Sequence, residues 1–254
     1  MPRKARNDMN SNYFHVIVQG INKEKIFKDV MCVKKYLKEI RLKNEECEKI
    51  KILAYCMMNN HAHFLIYTQE IKELSKFMQK VNGSYSNFYN KLNNRVGFVF
   101  RDRYYTQEIL DQIQLYICLR YIHNNPVKAG IVKNAEEYIY SSYREFLYNT
   151  KIISRESVKL LFGDVKDYKN LFVEIHSKVD DESDKFIDIK DELFDDFIVN
   201  FEKQYNIRIS EIKNNRGILE KFVKEARKRT EVNIEVLSKT IGLSKSVIGR
   251  IAKL

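Results

Sequence analysis

The order of the hydrophobic patterns between residues 13 and 124 restricts the possible folds of this chain more than any other feature of the sequence. Apolar runs and alternations predict strands at 13–19, 50–57, 61–68 and 98–107. Helical spacing predicts helices at 28–42, 71–93 and 110–124. This β-α-β-β-α-β order predicts an α+β fold with a ferredoxin-like, split βαβ antiparallel sheet, to which the last helix and further helices are added.

Two histidines share the third predicted strand. His61 and His63, separated by Ala62, lie between apolar runs on both sides. Residues i and i+2 of a strand point to one face, so both imidazoles can converge on a single metal ion while Ala62 points to the other face. A strand edge with two hydrogen-bonded imidazoles is the alternative interpretation of this pair.

The predicted helix 110–124 carries a second pair of polar residues. Tyr121 and Asn125 are four residues apart and share one helix face, and Pro126 is expected to end the helix. A tyrosine hydroxyl can attack a phosphoryl centre if something offsets the cost of ionising the phenol. On composition alone, a core tyrosine is the simpler interpretation of Tyr121, since the chain contains 16 tyrosines.

Four segments of the sequence resemble the single-tyrosine HUH transposases, which include the insertion-sequence and the REP-associated tyrosine transposases. The segments are the opening strand 12–22, the histidine strand 59–65, the stretch 101–105 and the stretch 121–130 with its Asn-Pro-Val-Lys run. Their order and gaps agree with the family over residues 10–148, and the Asn-Pro-Val-Lys run is closer to the REP-associated branch. The resemblance implies a metal-dependent nuclease and strand transferase that acts on single-stranded DNA.

The resemblance also implies roles for individual residues. His61 and His63 match the metal-binding histidines, Tyr121 matches the nucleophile, and Asn125 falls where the family supplies a third ligand. An asparagine that closes the helix ahead of Pro126 is the competing interpretation of Asn125. The expected reaction is attack of Tyr121 on a DNA strand, which leaves a 5′-phosphotyrosine and a free 3′-hydroxyl. Mg²⁺ or Mn²⁺ is the expected divalent ion.

The charge of the chain is positive and unevenly distributed. The net charge of +11 is typical of a protein with a polyanionic partner, although a lysine-rich proteome would give the same total. Residues 1–150 contain 24 Lys and Arg against 15 Asp and Glu, residues 151–200 contain 8 against 13, and residues 201–254 contain 13 against 6. We therefore expect a nuclease domain over 1–150, a helical and acidic connector over 151–189 and a C-terminal DNA-binding domain over 190–254.

Several cationic side chains near the motifs are candidates for contacts with DNA. Arg101 and Arg103, at i and i+2 of an expected extended segment, can clamp phosphates, although ion pairs with Asp102 explain them equally well. Lys128 lies just beyond the expected helix end and can also reach a phosphate. The aromatic residues of helix 71–93 offer stacking surfaces for bases, with a core stripe as the alternative.

The C-terminal segment has the pattern of a helix-turn-helix unit. Helices are predicted at 234–240 and 244–254, joined by a glycine-containing turn, with Ser244 as the N-cap of the second helix. In that arrangement Lys245 and Arg250 face the DNA. A three-helix bundle used for dimerisation has the same periodicity.

The sequence lacks the patterns that are typical of membrane-spanning, secreted and disulfide-stabilised proteins. It contains no apolar run of membrane-spanning length, no signal-peptide pattern and no paired cysteine spacing. We expect a cytoplasmic protein without a membrane partner, associated with the nucleoid when bound to single-stranded or hairpin DNA, and a homodimer is compatible with the pattern. The alternatives are a domesticated, non-cleaving DNA-binding regulator with the same fold and an RNA-binding ferredoxin-like module.

Overall fold

The structure is a computed structural model that describes residues 9–101, 103–148, 151–177, 190–230 and 232–252. By their contacts these residues form two compact units, one of residues 9–123 and 138–177 and one of residues 124–137 and 190–252. Part of the predicted connector, residues 178–189, lies outside the described residues. The domain boundaries expected near residues 150 and 189 stay predictions.

The first unit is built on a four-stranded antiparallel sheet with the strand order β2-β3-β1-β4. Its strands are β1 (Tyr13–Gln19), β2 (Lys51–Met57), β3 (His61–Tyr67) and β4 (Tyr105–Ile109). Helix α1 (Val30–Glu45) connects β1 to β2, and α2 (Ile71–Leu92) connects β3 to β4. The predicted split βαβ arrangement is confirmed, because β3 lies between β1 and β2 and is antiparallel to both.

The alternation of side chains along β3 separates the two faces of the sheet. Phe64 is buried towards the helices, with its ring centroid 6.1 Å from that of Tyr36 in α1. Tyr85 and Tyr89 of α2 are buried, so the core-stripe interpretation of these aromatic residues is correct. Gly20 ends β1 where a Cβ atom would collide with the backbone carbonyl oxygen of Glu24.

Only the last three residues of the predicted strand 98–107 are in a strand, because β4 begins at Tyr105. Phe100 forms an isolated bridge with Gly20, whereas Tyr105 pairs with Ile17. Between these two pairs the first strand advances three residues and its partner advances five. Two extra residues therefore bulge out of the ladder, and this bulge carries Arg101 and Arg103.

Helix α3 (Gln112–Lys128) follows β4. Asp111 caps its N-terminus, since the Asp111 Oδ1 atom accepts a hydrogen bond from the Gln114 backbone N–H at 2.8 Å. The prediction that Pro126 ends the helix is wrong, because α3 continues to Lys128. A proline in the last turn removes only one backbone donor, and the helix ends two residues later, ahead of Gly130 with its φ of 72°.

Three short helices complete the first unit: α4 (Tyr143–Leu147), α5 (Arg155–Phe162) and α6 (Tyr168–Ser177). The second unit contains α7 (Lys190–Tyr205), α8 (Arg216–Thr230), α9 (Ile234–Ile241) and α10 (Lys245–Ile251). Its core includes Phe194, Phe197, Phe201, Phe222, Leu237 and Ile248. The expected small all-α C-terminal unit is therefore confirmed. Within the described ranges, no helix combines the length and the apolar character needed to cross a bilayer.

The turn between α9 and α10 has the local structure that its residues predict. Gly242 adopts a left-handed conformation with φ of 74°, and Ser244 occupies the N-cap position of α10. The Ser244 side chain bonds to the Ser246 hydroxyl at 3.0 Å, and it does not cap the backbone.

Candidate active site

The sheet face opposite α1 and α2 carries three fully buried histidines. His61 and His63 of β3 have ring centroids 4.9 Å apart. His15 of β1 pairs with Leu65, which places it diagonally across from His63, and the His15 Nε2 and His63 Nδ1 atoms are 3.0 Å apart. His15 was not among the predicted site residues. The only available signal was its place in the first segment that resembles the transposase family.

Tyr121 of α3 lies against this histidine face. Its ring centroid is 5.7 Å from those of both His15 and His63, and the residue is 4% exposed. The neighbouring residues Cys118 and Ile122 are fully buried, so this side of α3 packs towards the interior. The structure therefore brings Tyr121 together with His63 and His15, and His61 joins them through its contact with His63. We call His15, His61, His63 and Tyr121 the site cluster.

Burial keeps the three imidazoles of the site cluster neutral. Burial lowers the pKa of His15 and that of His61 to about 3. The pKa of His63 lies well below its usual value, first because of burial and then because of the neighbouring His61 and His15. At neutral pH each ring therefore keeps one nitrogen with a lone pair, which is the form of histidine that binds metal ions.

The hydrogen bonds of the ring nitrogens fit a metal-binding role. His61 Nδ1 lies 2.6 Å from the Asn60 side-chain oxygen, which can only accept, so His61 carries its proton on Nδ1 and its lone pair on Nε2. His63 Nε2 is buried and has no hydrogen-bond partner among the described residues. When His63 Nδ1 donates to His15, His63 Nε2 also presents a lone pair. Acceptors such as Asn60 and His15 orient metal-binding histidines in this way.

Among the described residues, no further histidine or acidic side chain is in place as a third metal ligand. In the part of the chain that the structure describes, no group of three His, Cys, Asp or Glu side chains is arranged to hold a metal ion. Asn125 lies one turn after Tyr121 on α3, and its side-chain oxygen is buried. The role of Asn125 as an oxygen ligand stays a prediction.

The predicted cationic residues Arg101, Arg103 and Lys128 lie at different depths. Arg101 and Arg103 are exposed and line a groove of about 790 Å³ beside α2. Arg101 Nη1 also lies 3.4 Å from the side-chain oxygen of Gln19. Asp102, the alternative partner of the two arginines, is outside the described residues. Lys128 is half-buried in the last turn of α3, in contrast to the prediction that it lies beyond the helix.

The two predicted DNA-contacting residues of the second unit lie on the exposed side of α10. Lys245 and Arg250 are exposed, whereas Ile248 is fully buried. The Lys245 ammonium group is 3.2 Å from a carboxylate oxygen of Glu235 in α9. The orientation of α10, with Lys245 and Arg250 on its exposed side, thus matches the predicted orientation. A role of these two residues in binding DNA stays a prediction.

The chain is similar to one family of proteins and to two solved structures. Residues 8–125 match the model of the family described as "Transposase IS200 like". A solved REP-associated tyrosine transposase bound to a REP hairpin is 16% identical, with a TM-score of 0.49 over 58% of this chain and 86% of that chain. A candidate transposase from Deinococcus radiodurans is also 16% identical, with a TM-score of 0.33 over 46% of this chain and 95% of that chain. No curated protein matches the chain.

Proposed function

We propose that this chain, whose residues 8–125 match the model of the IS200-like transposase family, cleaves and rejoins single-stranded DNA through a covalent tyrosine intermediate. The observation that carries the proposal is the position of the Tyr121 ring, 5.7 Å from the rings of both His15 and His63. A tyrosine that served only to fill the core would not need buried, neutral histidines beside it. A single-tyrosine nuclease needs both groups at one place.

The proposed reaction is a phosphoryl transfer to Tyr121. The phenol loses its proton, and its oxygen forms a bond to phosphorus while the bond from phosphorus to the 3′-oxygen of the preceding nucleotide breaks. The 3′-oxygen takes up a proton and leaves as a 3′-hydroxyl. The downstream strand stays joined to Tyr121 through its 5′-phosphate. Attack by a 3′-hydroxyl on this linkage reverses the reaction and rejoins the strand.

His61, His63 and Asn125 are the residues that would hold a divalent ion, Mg²⁺ or Mn²⁺. When bound, the ion supplies Lewis-acid polarisation of the scissile phosphate. Asn60 and His15 fix the orientation of the two imidazoles by bonding the ring nitrogens that point away from it. Burial of the three histidines excludes water from their ring nitrogens and so preserves the neutral form.

The proposed partner is single-stranded DNA next to a hairpin. Arg101 and Arg103 contact the phosphate backbone, with Lys128 as a third cationic contact. In the second unit Lys245 and Arg250 do the same from α10. Helices α9 and α10, joined by the turn at Gly242, have the order of elements found in helix-turn-helix modules, in which the second helix enters the major groove.

The test uses one hairpin oligonucleotide with single-stranded flanks, labelled with fluorescein at either its 5′ or its 3′ end. In Mg²⁺ or Mn²⁺ only the 3′-labelled strand should migrate with the protein on a denaturing gel, because the 5′-phosphate of that strand is joined to tyrosine. Chelation with EDTA should remove the band. Tyr121→Phe should lower adduct formation by at least about 1000-fold, as loss of a nucleophile does in other enzymes.

Tyr116→Phe is the matched control for this experiment. Tyr116 lies on the same helix, but its ring stacks on Phe162 at 6.0 Å, away from the histidines. The Tyr116→Phe variant should form the adduct at the wild-type rate. An adduct in the Tyr121→Phe variant would show that another residue is the nucleophile. Tight DNA binding without any adduct in the wild type would identify a non-cleaving regulator.

A further inference from the structure

We propose that the groove between α2 and the bulge before β4 binds one unpaired nucleotide of the DNA strand, with its base on Phe98 and its phosphate between Arg101 and Arg103. The inference rests on the proposed function and adds a base-binding site outside the site cluster. The groove has a volume of about 790 Å³. This volume is in the range of sites that hold small ligands such as a nucleotide.

An exposed aromatic ring lines one wall of the groove. Phe98 lines the groove and is 82% exposed. A phenylalanine ring left in water forgoes the favourable free energy of burial, which a base stacked on the ring would restore. Stacking of an unpaired base on an exposed aromatic ring is a common way to bind single-stranded nucleic acid without reading its sequence.

A glycine of α2 also lines the groove. Gly83 lies in the middle of α2, where glycine destabilises a helix by about 0.5–1 kcal/mol relative to alanine. Apart from its chain neighbours and the adjacent backbone of α2, a Cβ atom at this position would meet no atom of the described residues within 4 Å, so packing against other parts of the protein does not require glycine here. The missing side chain keeps the groove open between Asn82 and Ser86, whose polar groups can bond to the edge of a base.

The charge of the groove suits a phosphate. Two of its lining residues, Arg101 and Arg103, are exposed arginines, and none of the described lining residues is acidic. Arginine binds phosphate oxygens through two parallel N–H groups. An apolar peptide could cover Phe98, but it would offer no opposite charge to the guanidinium groups. Single-stranded DNA supplies both a base and a phosphate.

The groove begins close to the site cluster. The Arg101 backbone N–H donates a hydrogen bond to the Gln19 carbonyl oxygen at 2.9 Å, and Gln19 pairs with His61 across β1 and β3. Two strand spacings, on the order of 10 Å, therefore separate the backbone of Arg101 from that of His61. Because the site cluster and α2 lie on opposite faces of the sheet, a strand with one phosphate at the site cluster reaches the groove by passing the end of β1.

The test measures binding and cleavage separately in the full-length chain. Binding of a hairpin oligonucleotide with unpaired flanks is followed by fluorescence anisotropy in the Tyr121→Phe background. Phe98→Ala should weaken binding by about 5- to 150-fold, the equivalent of one lost base stack. Gly83→Leu should weaken it comparably because the new side chain fills the groove. Phe98→Trp should restore binding.

Two controls separate the groove from general effects. Val96→Ala removes an apolar side chain that is 94% exposed and that does not line the groove, so binding should be unchanged. Gly83→Leu replaces glycine by a better helix former and should raise the melting temperature, so weaker binding of this variant cannot be due to unfolding. Gly83→Ala should raise the melting temperature in the same way with a smaller effect on binding.

A fluorescent base analogue can show directly which nucleotide occupies the groove. 2-Aminopurine is placed at each unpaired position in turn, and stacking quenches its fluorescence. One position should be quenched by the wild type and recover its fluorescence with Phe98→Ala. If the wild type binds the oligonucleotide but Phe98→Ala and Gly83→Leu bind it equally well, the groove assignment is overturned and the proposed function stands. If the wild type neither binds nor cleaves the oligonucleotide, the proposed function itself fails.

Discussion

The five histidines of the chain lie in two clusters whose ring nitrogens are satisfied in different ways, and all but the half-buried His176 are fully buried. In the site cluster, ring nitrogens of His15 and His63 are 3.0 Å apart. In a second cluster, ring nitrogens of His123 and His176 are 2.9 Å apart. Burial is the main cause that lowers the pKa of all four of these histidines. We call His123, His176 and their partner Ser142 the packing cluster.

Every ring nitrogen of the packing cluster has a protein partner. His176 Nδ1 donates to the Phe172 carbonyl oxygen at 2.7 Å, which leaves His176 Nε2 to accept from His123 Nδ1. His123 Nε2 then accepts from the Ser142 hydroxyl at 2.8 Å. With one neutral tautomer for each ring, every donor in this series of hydrogen bonds meets an acceptor. The packing cluster thus needs no ligand and joins α3 to α6.

The site cluster is not closed in this way. His63 Nε2 is buried and has no hydrogen-bond partner among the described residues, and the Tyr121 ring lies beside it. A buried polar atom without a partner costs about 1–3 kcal/mol, which a bound ion or substrate can offset. The difference teaches that burial and a lowered pKa do not identify a functional histidine. The distinguishing property is whether the protein itself satisfies the ring nitrogens.

The largest expected effect comes from removing the two histidines of β3. His61→Ala with His63→Ala should lower the rate of adduct formation by at least about 100-fold, because the charge stabilisation at the phosphate is lost. Binding of single-stranded DNA at low salt should change little. Single-turnover cleavage and anisotropy measure the two quantities.

The matched control removes a histidine of the packing cluster. His123→Gln breaks a satisfied buried network and should lower the free energy of unfolding by about 1–3 kcal/mol, while the folded variant still cleaves. The proposed difference between the site cluster and the packing cluster is wrong if His123→Gln stops cleavage in folded protein. It is also wrong if the double alanine variant cleaves normally.

His15 should have the next largest effect. We expect His15→Ala to weaken Mn²⁺ binding by about 10- to 100-fold, because His63 loses the acceptor that holds its proton on Nδ1. Calorimetric titration with Mn²⁺ measures this without reference to activity. His15→Gln keeps an acceptor oxygen and should recover part of the affinity. Equal Mn²⁺ affinity in the wild type and the alanine variant would show that His15 has only a packing role.

The packing cluster should make stability depend on pH. Burial lowers the pKa of His176 to about 4, with a further contribution from the charge of Arg120, and the pKa of His123 lies well below its usual value. Below about pH 6.5 the unfolded chain binds protons that the folded chain does not. The contribution of these two histidines to the free energy of unfolding should therefore be fully present above that pH. It should fall towards pH 4, by up to about 1.4 kcal/mol per pH unit for each histidine.

Urea unfolding at pH 7.5, 6.0 and 5.0 measures this slope. The variant with His123→Gln and His176→Gln removes two titrating groups and should give a flatter dependence than the wild type. The three histidines of the site cluster remain in this variant and account for the rest. An unchanged slope would mean that the packing cluster is already protonated in the folded protein.

The smallest expected effect is in the second unit, which contains no histidine. Arg250→Ala should weaken binding of hairpin DNA by about 1 kcal/mol and reduce the salt dependence by about one phosphate contact, with no effect on the cleavage step. Truncation is a poorer test, because residues 124–137, with the end of α3, belong to the same unit as residues 190–252. A change of oligomeric state without a change in DNA affinity would indicate a dimerisation bundle.

Much of the fold follows from local pattern. The period-2 alternation of β3 places His61 and His63 on one face, and the observed strand begins and ends within one residue of the prediction. The spacing of α3 places Tyr121 on a buried side. Two local predictions are wrong because they overrate a local signal. The apolar run before Arg101 does not continue the β4 ladder, and Pro126 does not stop α3.

What the sequence by itself determined is the order of the elements, the shared face of His61 and His63, the helix that carries Tyr121 and the resemblance to a transposase family. Only the tertiary structure decided that His15 contacts His63, that His123 and His176 satisfy each other, and that Phe98 and Gly83 line one groove. Periodicity is set by backbone geometry over a few residues and can be read along the chain. The register of two strands and the satisfaction of a buried nitrogen depend on segments far apart in sequence, and these meet only when the chain packs.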